Sequence, residues 1–134
     1  MIQGLHHIGI AVEDLEEAVR LYRDRLGLDF AGIEEVPGER VRVAVLMAGG
    51  TRIELLQATG DDSAIRKFIA RRGPGIHHLA FQVDDAGEEI RRLSAEGLRL
   101  SSDAPVKGAH RTKVAFVHPK SVMGVLAELV EAPE

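Results

Sequence analysis

Histidine and glutamate recur in this chain at matched places. Leu5-His6-His7-Ile8-Gly9-Ile10-Ala11-Val12 is answered by Ile76-His77-His78-Leu79-Ala80-Phe81-Gln82-Val83, 71 residues later. Arg52-Ile53-Glu54-Leu55-Leu56 is answered by Leu126-Ala127-Glu128-Leu129-Val130, 74 residues later. A duplicated unit that contributes one histidine strand and one glutamate strand per copy predicts a four-ligand metal site where the halves meet. With no cysteine anywhere in the chain, the ligands must be imidazole and carboxylate. That donor set suits a divalent ion such as zinc, cobalt, nickel, manganese or magnesium and excludes an iron–sulfur cluster.

Strand alternation selects among the candidates. Neighbouring side chains on a strand point to opposite faces. His6 therefore shares its face with Ile8, Ile10 and Val12, an apolar set expected to pack on a helix. His7 shares the other face with the small residues Gly9 and Ala11, which leave room for a cavity. The second copy repeats the phase: His77 goes with Leu79, Phe81 and Val83, and His78 with Ala80 and Gln82. His7 and His78 are thus the predicted ligands. Glu54 lies opposite in phase to Ile53 and Leu55, and Glu128 to Ala127 and Leu129. An ionised carboxylate in such apolar company is costly unless it is paired or metal-bound.

The elements that must position these residues follow a repeated order. A strand at 5–12 leads into a helix from about Leu15 to Leu26, with Asp14 as its cap and Gly27 as its stop. Strands are expected at about 28–36, 40–48 and 51–57, punctuated by Pro37-Gly38 and Gly49-Gly50. A connecting helix at 61–72, capped by Asp61 or Asp62, carries the stripe Ile65, Phe68 and Ile69 and ends at Gly73-Pro74-Gly75. The second unit places a strand at 76–83 and a helix at about 86–96, capped by Asp84 or Asp85 and stopped by Gly97. Strands near 98–102, 112–118 and 123–130 follow. The polar linker Ser102 to Arg111 is a candidate loop over a cavity. Fold class is α+β: two tandem β-α-β-β-β modules. The expected organisation is a single domain over 1–134, with module one at about 4–58, the linking helix at about 61–72 and module two at about 75–131.

Bulk composition narrows the function. Of 134 residues, 45% are hydrophobic and the net charge is −4, so a normal core is expected and no basic footprint points to nucleic acid. No signal-peptide pattern or long apolar run occurs, so a soluble cytoplasmic protein with no membrane association is expected. The basic cluster Arg66, Lys67, Arg71 and Arg72 reads as the wet face of a helix. Tyr22 and the phenylalanines read as core.

The chain resembles the vicinal oxygen chelate superfamily (the glyoxalase, bleomycin-resistance and dioxygenase group), and within it the methylmalonyl-CoA epimerase family. The resemblance runs through His7-Ile8-Gly9-Ile10-Ala11-Val12, Gly75-Ile76-His77-His78-Leu79-Ala80-Phe81, Phe116-Val117-His118-Pro119-Lys120-Ser121 and Gly124-Val125-Leu126-Ala127-Glu128-Leu129. The first strand is general to the superfamily. The paired histidines and the His-Pro-Lys turn are typical of the epimerases.

This resemblance implies that the two modules form an open, cup-shaped sheet around metal ligands at His7, Glu54, His78 and Glu128, with Gln or Glu accepted at the position of Glu54. It implies a divalent ion, cobalt or manganese first, nickel or zinc as alternatives, that acts as a Lewis acid on an enolate. Four protein ligands on a six-coordinate ion leave two positions for a bidentate acyl-CoA substrate. Glu128 is the first candidate for the catalytic base, and Glu54 is a candidate for the opposite face. Some epimerases carry a glutamate in the third strand where this chain has Val43. Lys120, His118 and Arg111 are candidate substrate contacts; Lys113 and His110 lie in the same region. A homodimer is expected. The competing readings are glyoxalase I (lactoylglutathione lyase), which shares the ligand chemistry, a ring-cleaving dioxygenase, which needs more open positions, and a drug-binding protein of the same fold, which would leave the four matched ligands without a purpose.

Overall fold

In a computed structural model that describes residues 1–133, the alternation read from the sequence becomes two sets of strands, each backed by a helix. The chain divides into two compact units, residues 7–77 and residues 1–6 with 78–134. The elements are β1 (Ile2–Ala11), α1 (Leu15–Val19), β2 (Asp29–Val36), β3 (Val41–Ala48), β4 (Thr51–Ala58), α2 (Ala64–Arg72), β5 (Gly75–Val83), α3 (Ala86–Ala95), β6 (Val106–Lys107), β7 (Lys113–Val117) and β8 (Leu126–Glu131).

In the unit of residues 7–77 the strand order is β2-β3-β4-β1. β1 runs parallel to β4, and the other neighbours are antiparallel. One face of the sheet packs on α1: Ile10, Val12, Ala44, Leu46 and Leu55 meet Leu15 and Val19. The opposite face carries Ala11, Val41, Val43, Val45 and Leu56, and α2 covers part of it through Ile65, Phe68 and Ile69. Asp14 caps α1 as expected, its carboxylate accepting from Glu17 N at 3.1 Å. Past Val19 the helix continues as a wider turn over 20–25, in which Leu26 N donates to Leu21 O at 3.0 Å. Gly27, at φ +84°, ends it in a conformation that a side chain resists. The cap of α2 is Ser63, neither Asp61 nor Asp62: its hydroxyl accepts from Ile65 N. Asp62 instead pairs with Arg40, and Asp61 with Arg66.

In the unit that contains 78–134 the order is β5-β8-β7-β6, with β5 parallel to β8. Phe81, Val83, Ala115, Val117, Ala127 and Leu129 pack on Ala86 and Ile90 of α3. Ala80, Val114, Phe116 and Val130 form the other face. Asp85, rather than Asp84, caps α3 and accepts from Glu88 N at 3.0 Å. The strand expected near 98–102 is reduced to a single bridge between Leu100 and Val117. The bridge is made by two backbone hydrogen bonds, Ser101 N to Phe116 O and His118 N to Arg99 O. The strand expected from 123 begins only at Leu126, because 119–122 form a short helical turn. Within the linker, β6 pairs with β7. Gly108 is required there, since a Cβ would lie 2.6 Å from Thr112 Oγ1 and 2.7 Å from Val114 Cγ1. Among the described residues, no helix is long and apolar enough to cross a membrane.

Both units use one device that the sequence reading did not assign. Gln57 Oε1 accepts from Leu15 N at 2.7 Å, the first amide of α1. Glu131 Oε1 accepts from Ala86 N at 2.9 Å, the first amide of α3. Each acceptor stands three residues after the glutamate of its closing strand, Glu54 and Glu128. The signal was therefore a repeated Glu-x-x-Gln/Glu. Holding a helix's free N–H groups in this way fixes the helix against the strand that bears the candidate ligand.

Candidate metal centre

Each unit buries one histidine beside one glutamate. In the first, His7 and Glu54 are 5% and 7% exposed, with His7 Nε2 3.4 Å from Glu54 Oε1. In the second, His78 and Glu128 are 6% and 9% exposed, with His78 Nε2 3.3 Å from Glu128 Oε2. The parallel pairings explain how these meetings arise. Gly9 is in register with Glu54, two residues from His7 on the same face, and Ala80 is in register with Glu128, two residues from His78. The small residue in each row leaves the volume that imidazole and carboxylate occupy.

The neighbouring histidine His77 does other work. Its ring meets Phe68 of α2 edge-on, with centroids 4.9 Å apart and planes at 87°. Burial and the nearby Arg71 hold His77 below the usual histidine range, so it packs as a neutral ring.

The electrostatics of Glu54 fit a cation. Burial pushes its carboxyl up to about 7, against the pull of Arg52, with Glu34 and Glu39 adding to the rise. Arg52 Nη1 stands 3.8 Å from Glu54 Oε2, too far for a hydrogen bond. A carboxylate held in this state gains most from a close divalent charge. In each unit the buried imidazole and its carboxylate offer nitrogen and oxygen donors of the kind such an ion accepts.

This burial has a measurable consequence in the metal-free protein. Because the folded-state value of Glu54 lies above its unfolded value, the folded chain holds the extra proton between about pH 4.5 and 7. Stability then falls as pH rises through that window, by about 3 kcal/mol at most. Glu54→Gln should flatten the fall when unfolding free energy is followed from pH 5 to 8 in the presence of a chelator. Parallel pH profiles for the two proteins would contradict the assignment.

The candidate substrate contacts lie in the second unit. Lys120 is exposed on the 119–122 turn. His118 is half-buried and caps that turn, its Nδ1 accepting from Lys120 N at 3.1 Å, so at least one ring nitrogen has a structural task. Arg111 lines a shallow hollow with Lys113, Glu131, Ala132 and Pro133, at the far end of β8 from Leu126. It and His110 sit at φ +61° and +55°, a left-handed pair that is uncommon outside glycine. Val43, only 4% exposed, is in register with Leu56 and belongs to the apolar cluster under α2.

Comparison with known proteins converges on one family. The family model of the Glyoxalase/Bleomycin resistance protein/Dioxygenase superfamily matches residues 6–116. The ethylmalonyl-CoA/methylmalonyl-CoA epimerase of Cereibacter sphaeroides is 40% identical over 131 residues, covering 96% of this chain and 98% of that protein. The crystal structure of methylmalonyl-CoA epimerase from Mycobacterium tuberculosis superposes with a TM-score of 0.94 at 38% identity, over 99% of this chain and 90% of that one. A variant of Streptomyces coelicolor methylmalonyl-CoA epimerase, in complex with 2-nitronate-propionyl-CoA, gives 0.93 at 34% identity over the whole of both chains. The α+β fold class of paired β-α-β-β-β modules is thereby confirmed, and the chain belongs to the glyoxalase/bleomycin resistance protein/dioxygenase superfamily and, within it, to the methylmalonyl-CoA epimerase family.

Proposed function

We propose that this protein interconverts the two configurations of methylmalonyl-CoA, with His7, Glu54, His78 and Glu128 together holding one divalent cation, cobalt or manganese first. The observation that carries the reading is the matched burial of a histidine–glutamate pair in each of two duplicated units. When bound, the ion would supply Lewis-acid stabilisation of the negative charge that develops on the thioester oxygen as the α-proton leaves.

The chain's own residues supply the rest. Inverting a carbon requires a proton to leave one face and a proton to return to the other, so two proton-transfer groups are needed. Glu128 is the leading base: it is buried among Ala80, Phe116 and Val130, which keep water away from its carboxylate. Glu54, the sequence candidate for the opposite face, already stands against His7 and near Arg52. Lys120 would meet negative charge on the acyl-CoA, and Arg111 and His118 are weaker candidates for that task. A cytoplasmic homodimer is part of the same proposal and rests on the family resemblance.

Glyoxalase I is the second reading, since the same donor set serves hemithioacetal isomerisation. The paired histidines His77-His78 and the turn His118-Pro119-Lys120 favour the epimerase. Metal-loaded protein should epimerise methylmalonyl-CoA and leave the glutathione hemithioacetal of methylglyoxal essentially unchanged, and a chelator should abolish the epimerisation. Isomerase activity without epimerisation would move the same residues to glyoxalase chemistry.

A further inference from the structure

The proton-transfer group that the first unit contributes can be sought on its sheet alone. The face of that sheet bearing His7 and Glu54 is defined by the registers of β1 to β4. Along β3 it presents Val41, Val43, Val45 and Met47. None of these can carry a proton; the face already holds His7, Glu54 and Arg52, and a further carboxylate on it can come from β2.

β2 places one there by an irregularity. Phe30 is in register with Leu46, whose side chain packs on α1. Regular alternation from Phe30 would send residues 32, 34 and 36 to the α1 face as well. A bulge between Phe30 and Gly32 resets the register, so that Gly32 faces Val45, Glu34 faces Val43 and Val36 faces Val41. All three valines of β3 lie on the face away from α1. The extra residue therefore turns Glu34 onto the face of His7 and Glu54. Re-aiming a side chain is a recurrent use of bulges beside active sites.

The surroundings of Glu34 fit a role in chemistry. It is half-buried, with one carboxylate oxygen fully enclosed. The row next to it runs Gly32, Val45, Glu54, Gly9 across the four strands. Gly32 adopts φ +128° and has nothing within 4 Å of where a Cβ would be. A low floor of Gly32 and Val45 thus separates Glu34 from Glu54, one row and two strands away. The two carboxylates are close enough that the charge on Glu34 raises the proton affinity of Glu54.

We propose that Glu34 is a catalytic residue of the epimerisation, exchanging the α-proton on one face of the substrate carbon from across the Gly32–Val45 floor. This inference rests on the epimerase reading above. In one direction the Glu34 carboxylate takes the proton as the C–H bond breaks, and the electron pair moves into the enolate. In the other, the protonated Glu34 returns it as the C–H bond re-forms.

The test is each epimer incubated separately with metal-loaded Glu34→Gln in heavy water. Inversion should fall by about 10²- to 10⁴-fold, the usual contribution of a positioned acid or base. KM and metal content should stay near wild type. One epimer should still exchange its α-proton for deuterium without inverting, while the other should lose exchange. Glu34→Asp, which keeps a shortened carboxylate, should recover part of the inversion and serves if the glutamine variant folds poorly. Inversion at the wild-type rate, or equal loss of exchange for both epimers, would overturn the assignment. Wild-type protein that epimerises nothing would instead overturn the functional reading itself.

Discussion

Replacing His78 with alanine should remove the bound metal altogether and, with it, at least about 10³-fold of the epimerase turnover. His78 Nε2 faces Glu128 at 3.3 Å in a pocket where both residues are almost fully buried. Its strand neighbours on that face, Ala80 and Gln82, offer no second imidazole. His7→Ala should give the same result for the matching reason in the first unit. The informative point is the symmetry of the outcome. If the two units jointly hold one ion, each single variant loses the whole of it. If each unit held its own ion, each variant would retain half. Metal analysis of the purified variants, alongside circular dichroism to confirm folding, separates these cases.

The second large effect is expected at Glu128. Glu128→Gln keeps an oxygen donor and nearly the same volume but removes the proton acceptor, so turnover should fall by about 10²- to 10⁴-fold with most of the metal retained. Glu54→Gln makes a useful contrast. The family resemblance allows Gln at that position, and Glu54 stands against His7 and beside Arg52. Its turnover should stay within about tenfold of wild type, the scale of a change in ligand environment rather than loss of a general base. Equal losses in the two variants would mean that Glu128 acts through the metal alone. Full activity in Glu128→Gln would remove it from the proton-transfer role.

Much of this arrangement is legible in the sequence. Alternation on β1 and β5 was enough to choose His7 over His6 and His78 over His77, because period two assigns a face without knowledge of the partner strand. The same logic placed Glu54 and Glu128 on one face of each closing strand. Caps at Asp14 and Asp85 and stops at Gly27 and Gly97 were legible because their signals are local.

What escaped depends on residues distant in sequence. Leu98 to Ser102 looks like a strand, yet it finds only one bridge because the turn at 119–122 and the β6 pairing occupy the neighbouring backbone. Asp61 and Asp62 lost the cap of α2 to Ser63 because two arginines engage them as ion pairs. The helix-end acceptors Gln57 and Glu131 required knowing that β4 passes α1 and β8 passes α3. Glu34 was hidden most thoroughly. Phe30, Ile33 and Val36 do not alternate cleanly, and only the register against β3 reveals the bulge that turns Glu34 over.

The most direct test of the central claim is titration of metal-free protein with cobalt(II), followed by its visible absorption. Two imidazoles and two carboxylates from duplicated units predict a single endpoint at one ion per chain, with the weak bands of a six-coordinate centre that keeps positions for substrate. An endpoint at two ions per chain, or the intense bands of a closed tetrahedral site, would contradict the account.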